Sequence, residues 1–420
     1  MLEKPKLFLT AREFWITVIL FLVILSIRLS FIYSQYQIFI AKPFYFTYVD
    51  VLQQYTKEKK GKRYTVLRVH SNELDLDFFT RTYREDNLLN KRIRLKLLPR
   101  RDMSFVEYLR TSFIPSRLNR VLEKPYGLKS TLLEAIESQH SEPIIASFYQ
   151  AIFFATPIQK NLRKEVSKLG ISHLIALSGL HLAILWGVLF YLLRPLYRIF
   201  QQRYFPYRFD LIDIGFIVLV ILGSFVWFVD APASLLRSYS MMAVGWAVLI
   251  LGVELLSFTL LSTIVMLLIL LFPKMLLSLA FWFSVLGVFY IFLIIKRFSE
   301  VNRVILTLIL YLGIFVLMLP IVHVVFPLTS TLQLYSPLLS ASFTLFYPVS
   351  IFLHLIGVGG VFDGWLLELL ILDGDIVNRK LDIVFGVGYL LLSIGAVYSK
   401  RLFYLLFLIA FCFMGWIFLL

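Results

Sequence analysis

Ser178-Gly-Leu-His181 sets a hydroxyl and an imidazole three residues apart in an otherwise apolar stretch. On one face of a helix that spacing lets the two side chains meet. A serine with a base in hydrogen-bond reach is the beginning of a nucleophile, so an intramembrane serine hydrolase is one chemistry these residues permit. Neither an oxyanion donor nor a third partner for the imidazole stands out in the sequence. Two other roles therefore stand beside it: helix packing, where Ser and Gly allow close approach, and the wall of a wet cavity or pore. His173 falls about 80° away from His181 round the same helix. A second polar group lies in Asp230-Ala-Pro-Ala-Ser-Leu-Leu-Arg-Ser-Tyr239, where Arg237 follows a proline-started helix by about two turns. A cation in an apolar segment must snorkel to an interface, pair with Asp230 across the helix start, or meet an anion passing through.

Other chemistries are disfavoured. The histidines, His70, His140, His173, His181, His323 and His354, show no paired helical spacing with a carboxylate and no run of His and Asp ligands, so no metal or other cofactor is expected. No phosphate-cradling P-loop is present, so any energy coupling falls to a partner. Cys412 is the one cysteine, which excludes an intrachain disulfide and a thiolate metal cluster.

The elements that position these residues are set by hydropathy. Apolar residues make up 59% of the chain, above the roughly 45–50% of soluble domains. This predicts a mostly α, polytopic membrane helix bundle. The run Phe14–Tyr33, preceded by Lys4, Lys6 and Arg12, is long enough to span and places the N-terminus in the cytoplasm. From Ile144 apolar runs dominate, and with Phe14–Tyr33 they predict about ten spans. The basic stretch Arg194–Arg208 reads as a cytoplasmic loop. Around Phe362–Lys380, Asp363, Glu368, Asp373 and Asp375 interrupt the hydrophobicity, which reads as a re-entrant or interfacial piece.

One polar region of domain size remains, between about Ala41 and Gln139. Tyr45–Gln54 and Arg63–Val69 alternate about the turn-prone Lys57–Lys62, which reads as a β-hairpin, and Leu74–Thr82 and Arg92–Leu98 complete a small antiparallel unit. Such a unit can close as a barrel of the oligonucleotide-binding type. Beyond Pro99 the spacing of Phe105, Tyr108, Leu109, Leu118, Val121 and Leu122, with Arg110, Arg117 and Arg120 opposite, predicts basic amphipathic helices. The division is thus 1–40 (start and first span), 41–100 (extracytoplasmic β-rich domain), 101–140 (amphipathic interfacial helices) and 141–420 (multi-spanning core). Net charge is +15, and much of the excess is spread through the polar domain. Loop sorting does not predict that, whereas attraction to a polyanion or to anionic headgroups does.

Taken together, Gly170-Ile-Ser-His-Leu-Ile-Ala-Leu-Ser-Gly-Leu-His-Leu182 closely resembles the signature of the ComEC family, inner-membrane channels for single-stranded DNA in natural transformation. Ala231-Pro-Ala-Ser-Leu-Leu-Arg237 and Leu279-Ala-Phe-Trp-Phe-Ser-Val-Leu-Gly287 resemble further stretches of that family. Ser336–Pro348 resembles another, but without the Asn usual before its second Pro. Many members end in a metallo-β-lactamase-like domain; no His-x-His-x-Asp-His run is found here, so the resemblance implies a channel and no nuclease. It implies a bacterial cytoplasmic-membrane protein that passes single-stranded DNA. Lys57, Lys59, Lys60, Lys62, Arg63, Tyr64 and Arg68 would then contact DNA, and His173, Ser178, His181, Asp230 and Arg237 would line the pore. The bilayer, a cytoplasmic motor or helicase, single-strand-binding proteins, a separate nuclease and a periplasmic DNA receptor are the implied partners. A transporter of another solute or lipid is the remaining alternative.

Overall fold

The computed structural model describes residues 7–8, 10–59, 61–84, 86–89, 91–122, 127–252 and 257–419. Two compact units emerge, one of residues 8–131 with 265–279 and the other formed by most of the remainder.

The smaller unit begins with α1 (Ala11–Ala41), started by a capping box in which Glu13 N–H donates to Thr10 Oγ1 at 3.3 Å. It ends before Lys42-Pro43 because the residue preceding a proline is pushed out of the α region. Its 31 residues give a rise of about 46 Å, more than the ~30 Å hydrocarbon core needs. Its last turns serve another purpose. Phe39 is buried in the sheet core and stacks on Tyr45 at 5.1 Å, and Tyr36 Oη donates to the Met103 carbonyl.

Six strands follow: β1 (Tyr45–Lys59), β2 (Lys62–Ser71), β3 (Leu76–Thr82), β4 (Arg92–Leu97), β5 (Ser112–Phe113) and β6 (Ser116–Leu122), with the short α2 (Phe105–Leu109) between β4 and β5. Their order is β5-β3-β2-β1-β4-β6. The expected hairpin is present, but its strands continue to the Lys59–Lys62 pair, and Gly61 with φ 72° supplies the left-handed turn. Val49, Val51, Leu67, Val69, Phe78, Ile93, Leu95 and Leu97 fill the interior with almost no exposure. Burying each such side chain contributes about 1.5–3 kcal/mol. The two edge strands belong to one short stretch: β5 runs parallel to β3 and β6 antiparallel to β4, with only Ile114 and Pro115 between them. That stretch curls the sheet back on itself. Thr80 Oγ1 and Ser116 Oγ lie 2.6 Å apart across the join.

Ser116–Leu122 is therefore a strand where the sequence reading placed an amphipathic helix. The reason is local. Arg94 pairs with Arg120 but Leu95 with Leu118, so Asn119 is an extra residue, a β-bulge. Leu118 and Val121 fall inward and Arg117 and Arg120 outward at a spacing of three, which mimics helical periodicity.

The larger unit is helical: α3 (Leu128–Glu137, shared in part with the smaller unit), α4 (Pro143–Phe154), α5 (Lys160–Lys168), α6 (Ser172–Ile175), α7 (Gly179–Tyr204), α8 (Asp210–Phe228), α9 (Ala233–Ile250), α10 (Phe258–Leu271, also shared), α11 (Leu279–Arg297), α12 (Arg303–Val325), α13 (Ser336–Leu355), α14 (Asp363–Ile371), α15 (Ile383–Tyr398) and α16 (Lys400–Leu419), with a two-strand contact β7 (Leu328–Thr329) to β8 (Val377–Asn378). Among the described residues seven helices are long and apolar enough to cross a membrane, including α1, α7, α8, α11, α12 and α16, and four shorter ones are apolar. Large apolar side chains such as Trp227 (82%) and Leu355 (80%) face outward, as lipid-facing surfaces do. The protein is a membrane protein. Arg194–Arg208, expected as a loop, is helical as far as Tyr204, and Arg194 and Arg198 turn onto Asp210 at 2.8 and 3.0 Å. α14 has nine residues, too few to cross.

Within the sheet, His70 Nδ1 and Asp77 Oδ1 are 2.8 Å apart. The hydrogen bond to Asp77 raises the imidazole above its ordinary value against the opposing effect of burial. Burial pushes Asp77 up, but the His70 hydrogen bond and the charges of His70 and Arg68 outweigh it and hold the carboxyl low. The raised His70 stabilises fully below its unfolded value and loses that contribution as pH rises through its folded one; the lowered Asp77 loses its contribution on acidification. The β2–β3 pair should be most stable between about pH 4 and 6.5. Protection of β2 and β3 amides against exchange, corrected for intrinsic pH dependence, should decline above that window, and His70→Gln should remove the decline.

Candidate functional site: a broken helix and a basic cleft

The signature stretch does not form one helix. Gly170, at φ 68°, ends the turn after α5. α6 lasts four residues, and Ala176 (ψ 118°) and Ser178 (φ −136°, ψ −179°) are extended before α7 begins at Gly179. The single-helix geometry assumed for Ser178, His181 and His173 is thereby corrected: Gly170 turns the chain before α6, and Ala176 and Ser178 run extended before α7.

Breaking a helix in apolar surroundings strands backbone carbonyls, and side chains from other elements accept that task. Ser336 Oγ donates to the Gly170 carbonyl (3.0 Å), Gln333 Nε2 to the Ser167 carbonyl (3.3 Å) and Ser234 Oγ to the Leu177 carbonyl (2.9 Å). His173 Nε2 lies 3.1 Å from Ser340 Oγ. Ser178 is the N-cap of α7. Its backbone N–H donates to His181 Nδ1 at 3.2 Å, and its Oγ is 3.2 Å from the same nitrogen. His181 thus plays the part a Glu has in a capping box. A neutral ring that accepts at Nδ1 carries its proton on Nε2, and Nε2 is buried with no partner among the described residues. Phe343 and Tyr347 meet the ring edge to face at 5.0 and 4.8 Å. The serine–imidazole distance suits proton transfer, but aromatic edges surround the ring where a triad would hold a carboxylate.

Arg237 is only 5% exposed, and its Nε lacks an acceptor among the described residues. Pairing with Asp230 does not satisfy that atom. Asp230 (φ 64°) and Ala231 (φ 44°) form a left-handed corner that aims α9, a conformation costing about 1–2 kcal/mol per non-glycine residue. Next to Arg237, Ser238 faces Gly179, whose absent Cβ would sit 3.4 Å from Ser238 Oγ. α9 and the start of α7 therefore meet where the helix is broken. The stretch that carries Ser178 and His181 is thus met by Gln333, Ser336 and Ser340. The last three escape single-sequence reading because amides and hydroxyls in an apolar run look like helix packing.

A second polar group in this unit also escaped it. His140 Nδ1 is 2.9 Å from both Asp363 carboxylate oxygens, His140 Nε2 is 3.0 Å from His354 Nε2, and His354 Nδ1 donates to the Ser350 carbonyl at 2.6 Å. That chain closes only with one proton more than two neutral imidazoles and a carboxylate carry. Tyr149 stacks on His140 at 4.6 Å. Asp363, which marked the sequence reading's interfacial piece, is the anchor of this corner.

In the smaller unit Tyr55, Lys57, Tyr64, Val66, Phe79, Arg81 and Phe113 line a cleft of about 310 Å³ on the outer face of the hairpin and β3. Lys57 and Tyr64, expected from sequence, are cross-strand partners there; Phe79, Arg81 and Phe113 arrive from elsewhere. Arg63 is exposed beside Glu58 at 3.8 Å, and Arg68 leans to Asp77 at 3.9 Å. Lys60 and the side chains of Lys59 and Lys62 lie outside the described residues.

These features define a polytopic helical membrane protein with a discontinuous polar helix and a basic β-sheet unit. A family model described as Competence protein matches residues 155–420, well over half the chain. The chain belongs to the competence protein family and so has a role in DNA uptake. Comparison with curated proteins found no match, and neither did comparison with solved structures.

Gly170→Ala would put a Cβ 3.3 Å from Gln333 and Ser336 at a positive φ, so it should lower thermal stability in detergent by about 1–2 kcal/mol. Ser178→Ala should cost about 1 kcal/mol as a lost cap, and a fluorophosphonate probe should leave Ser178 of the unaltered protein unlabelled.

Proposed function

We propose that this protein is a channel of the bacterial cytoplasmic membrane that passes single-stranded DNA into the cytoplasm, and that it is not itself an enzyme. The observation that carries the reading is Arg237: a guanidinium 5% exposed in an apolar bundle, without an acceptor on Nε, inside the part of the chain that matches the competence family. A buried guanidinium with an unfilled donor is costly in apolar surroundings. On this reading an anion passing along a wet path beside the broken helix fills that donor whenever substrate is present. Helices of bundle length, with the shorter apolar ones completing the crossings, give about ten spans on this reading.

The sheet unit is read as an oligonucleotide-binding-type barrel outside the cytoplasm. Its strand order, the parallel β3–β5 contact and the cleft on the β2–β3 face support this. Cations beside aromatic faces suit sequence-tolerant binding of a single strand. Direction of transport comes from partners: a cytoplasmic motor or helicase, single-strand-binding proteins that trap the entering strand, and a nuclease and DNA receptor on the outer side.

Labelled DNA supplied to cells carrying Arg237→Ala, at equal membrane abundance, should reach the outer compartment normally while cytoplasmic entry falls by about tenfold or more, a loss of roughly 1.4 kcal/mol. Arg237→Lys should recover part of it. Unchanged entry in Arg237→Ala would return Arg237 to a packing role and remove the basis of the channel reading.

A further inference from the structure

The outer face of β1 carries more than the cleft uses. Phe44, Phe46 and Tyr48 are 42, 46 and 42% exposed, although apolar rings on a sheet ordinarily turn inward. Each is held by a cation on the neighbouring strand. Lys96 Nζ sits 4.1 Å from the Phe44 ring and 5.7 Å from Phe46, and the Arg94 guanidinium 5.2 Å from Phe46 and 5.7 Å from Tyr48. Phe46 is the cross-strand partner of Lys96 and Tyr48 of Arg94. One strand further, Arg117 lies beside Lys96 and Arg120 beside Arg94, both exposed. The one carboxylate among these positions, Asp50, is held bidentately by Arg92 at 2.9 and 3.1 Å. The face is strongly cationic.

A β-bulge joins this row to the cleft. Val51 pairs with Val69 and Gln53 with Arg68, so Leu52 is an extra residue and the parity of β1 inverts there. Phe46 and Tyr48 point outward before the bulge, and Tyr55 and Lys57 point outward after it. In a regular strand Tyr55 and Lys57 would share the parity of Val49 and Val51 and turn into the core. β1 consequently presents one outward line from just beyond α1 to the hairpin tip, roughly 40 Å at strand rise.

Resting on the single-strand DNA reading, we propose that a single-stranded polynucleotide engages the whole outward line of β1, not the cleft alone. Its bases stack on Phe44, Phe46 and Tyr48 and its phosphates meet Arg94, Lys96, Arg117 and Arg120. The bound strand runs between the hairpin tip and the end of α1. Alternating rings and cations in a single file match a linear polymer of alternating bases and phosphates. A bilayer surface is served instead by a broad apolar face flanked by cations.

The test uses the full chain in neutral-lipid nanodiscs, with fluorescent oligothymidylates short enough for the cleft or long enough for the whole line, titrated across a salt series. Phe46→Ala with Tyr48→Ala should leave short-oligomer binding unchanged and weaken long-oligomer binding by about fivefold or more per ring. Arg94→Gln with Lys96→Gln, surface changes that spare the core, should reduce the long-oligomer salt slope by about 1.4. If long oligomers bind these variants as they bind the unaltered protein, while Tyr64→Ala with Arg81→Gln abolishes binding, the β1 line is overturned and the DNA reading stands. If the unaltered chain binds no oligomer but takes up phosphatidylserine vesicles, both are overturned and the surface is a lipid contact.

Discussion

A helix interrupted among apolar neighbours must find hydrogen-bond partners for the backbone it exposes, since no water is there to take them. That demand organises the larger unit. The carbonyls of Ser167, Gly170 and Leu177 are answered by Gln333, Ser336 and Ser234, which arrive from the turn before α13, from α13 itself and from α9. Three elements distant in sequence are thus pinned to one corner. Ser178 and His181 answer the remaining need at the start of α7 by capping it. What is left without an answer among the described residues, Nε2 of His181 and Nε of Arg237, marks where the fold holds polarity in reserve.

The smaller unit obeys a different constraint, the two-residue parity of a strand. Parity assigns each residue to core or surface, and two extra residues, Leu52 and Asn119, reset it. The first keeps aromatic and basic residues of β1 on one face through its length. The second lets β6 pair with β4 while Leu118 and Val121 turn inward. The long α1 is tied into this core through Phe39 and Tyr36, so the spanning helix ends as part of the sheet unit.

The Asp363–His140–His354 chain shows a third way of managing polarity. Its members come from the turn before α4, the end of α13 and the start of α14, and Gln139 adds a contact by accepting from the Gly359 N–H at 2.8 Å. A nine-residue helix too short to span is fastened at its first residue by a buried histidine. A carboxylate near the hydrophobic region is tolerated there because it is hydrogen-bonded and paired.

Hydropathy and turn chemistry are local properties, and what depends on them was legible in the residues alone: a membrane protein, a polar unit between its first span and the rest, the hairpin around Gly61, and the importance of the stretch from Gly170 to Leu182. Lys57, Tyr64, Ser178, His181 and Arg237 were named from residue type and neighbours; Lys57 and Tyr64 line the cleft, Ser178 and His181 meet at the start of α7, and Arg237 is buried. Spacing alone could not show that the stretch breaks, because the carbonyls of Gly170, Ser167 and Leu177 are answered by Ser336, Gln333 and Ser234 from distant segments. Nor could it show that Ser116–Leu122 is a strand, because a bulge at Asn119 gives the same threefold spacing as a helix. Phe79, Arg81 and Phe113 joined the cleft, and His140 met Asp363, only through pairing and packing between distant segments. Those are decisions that depend on where the rest of the chain lies, and only the tertiary structure contains them.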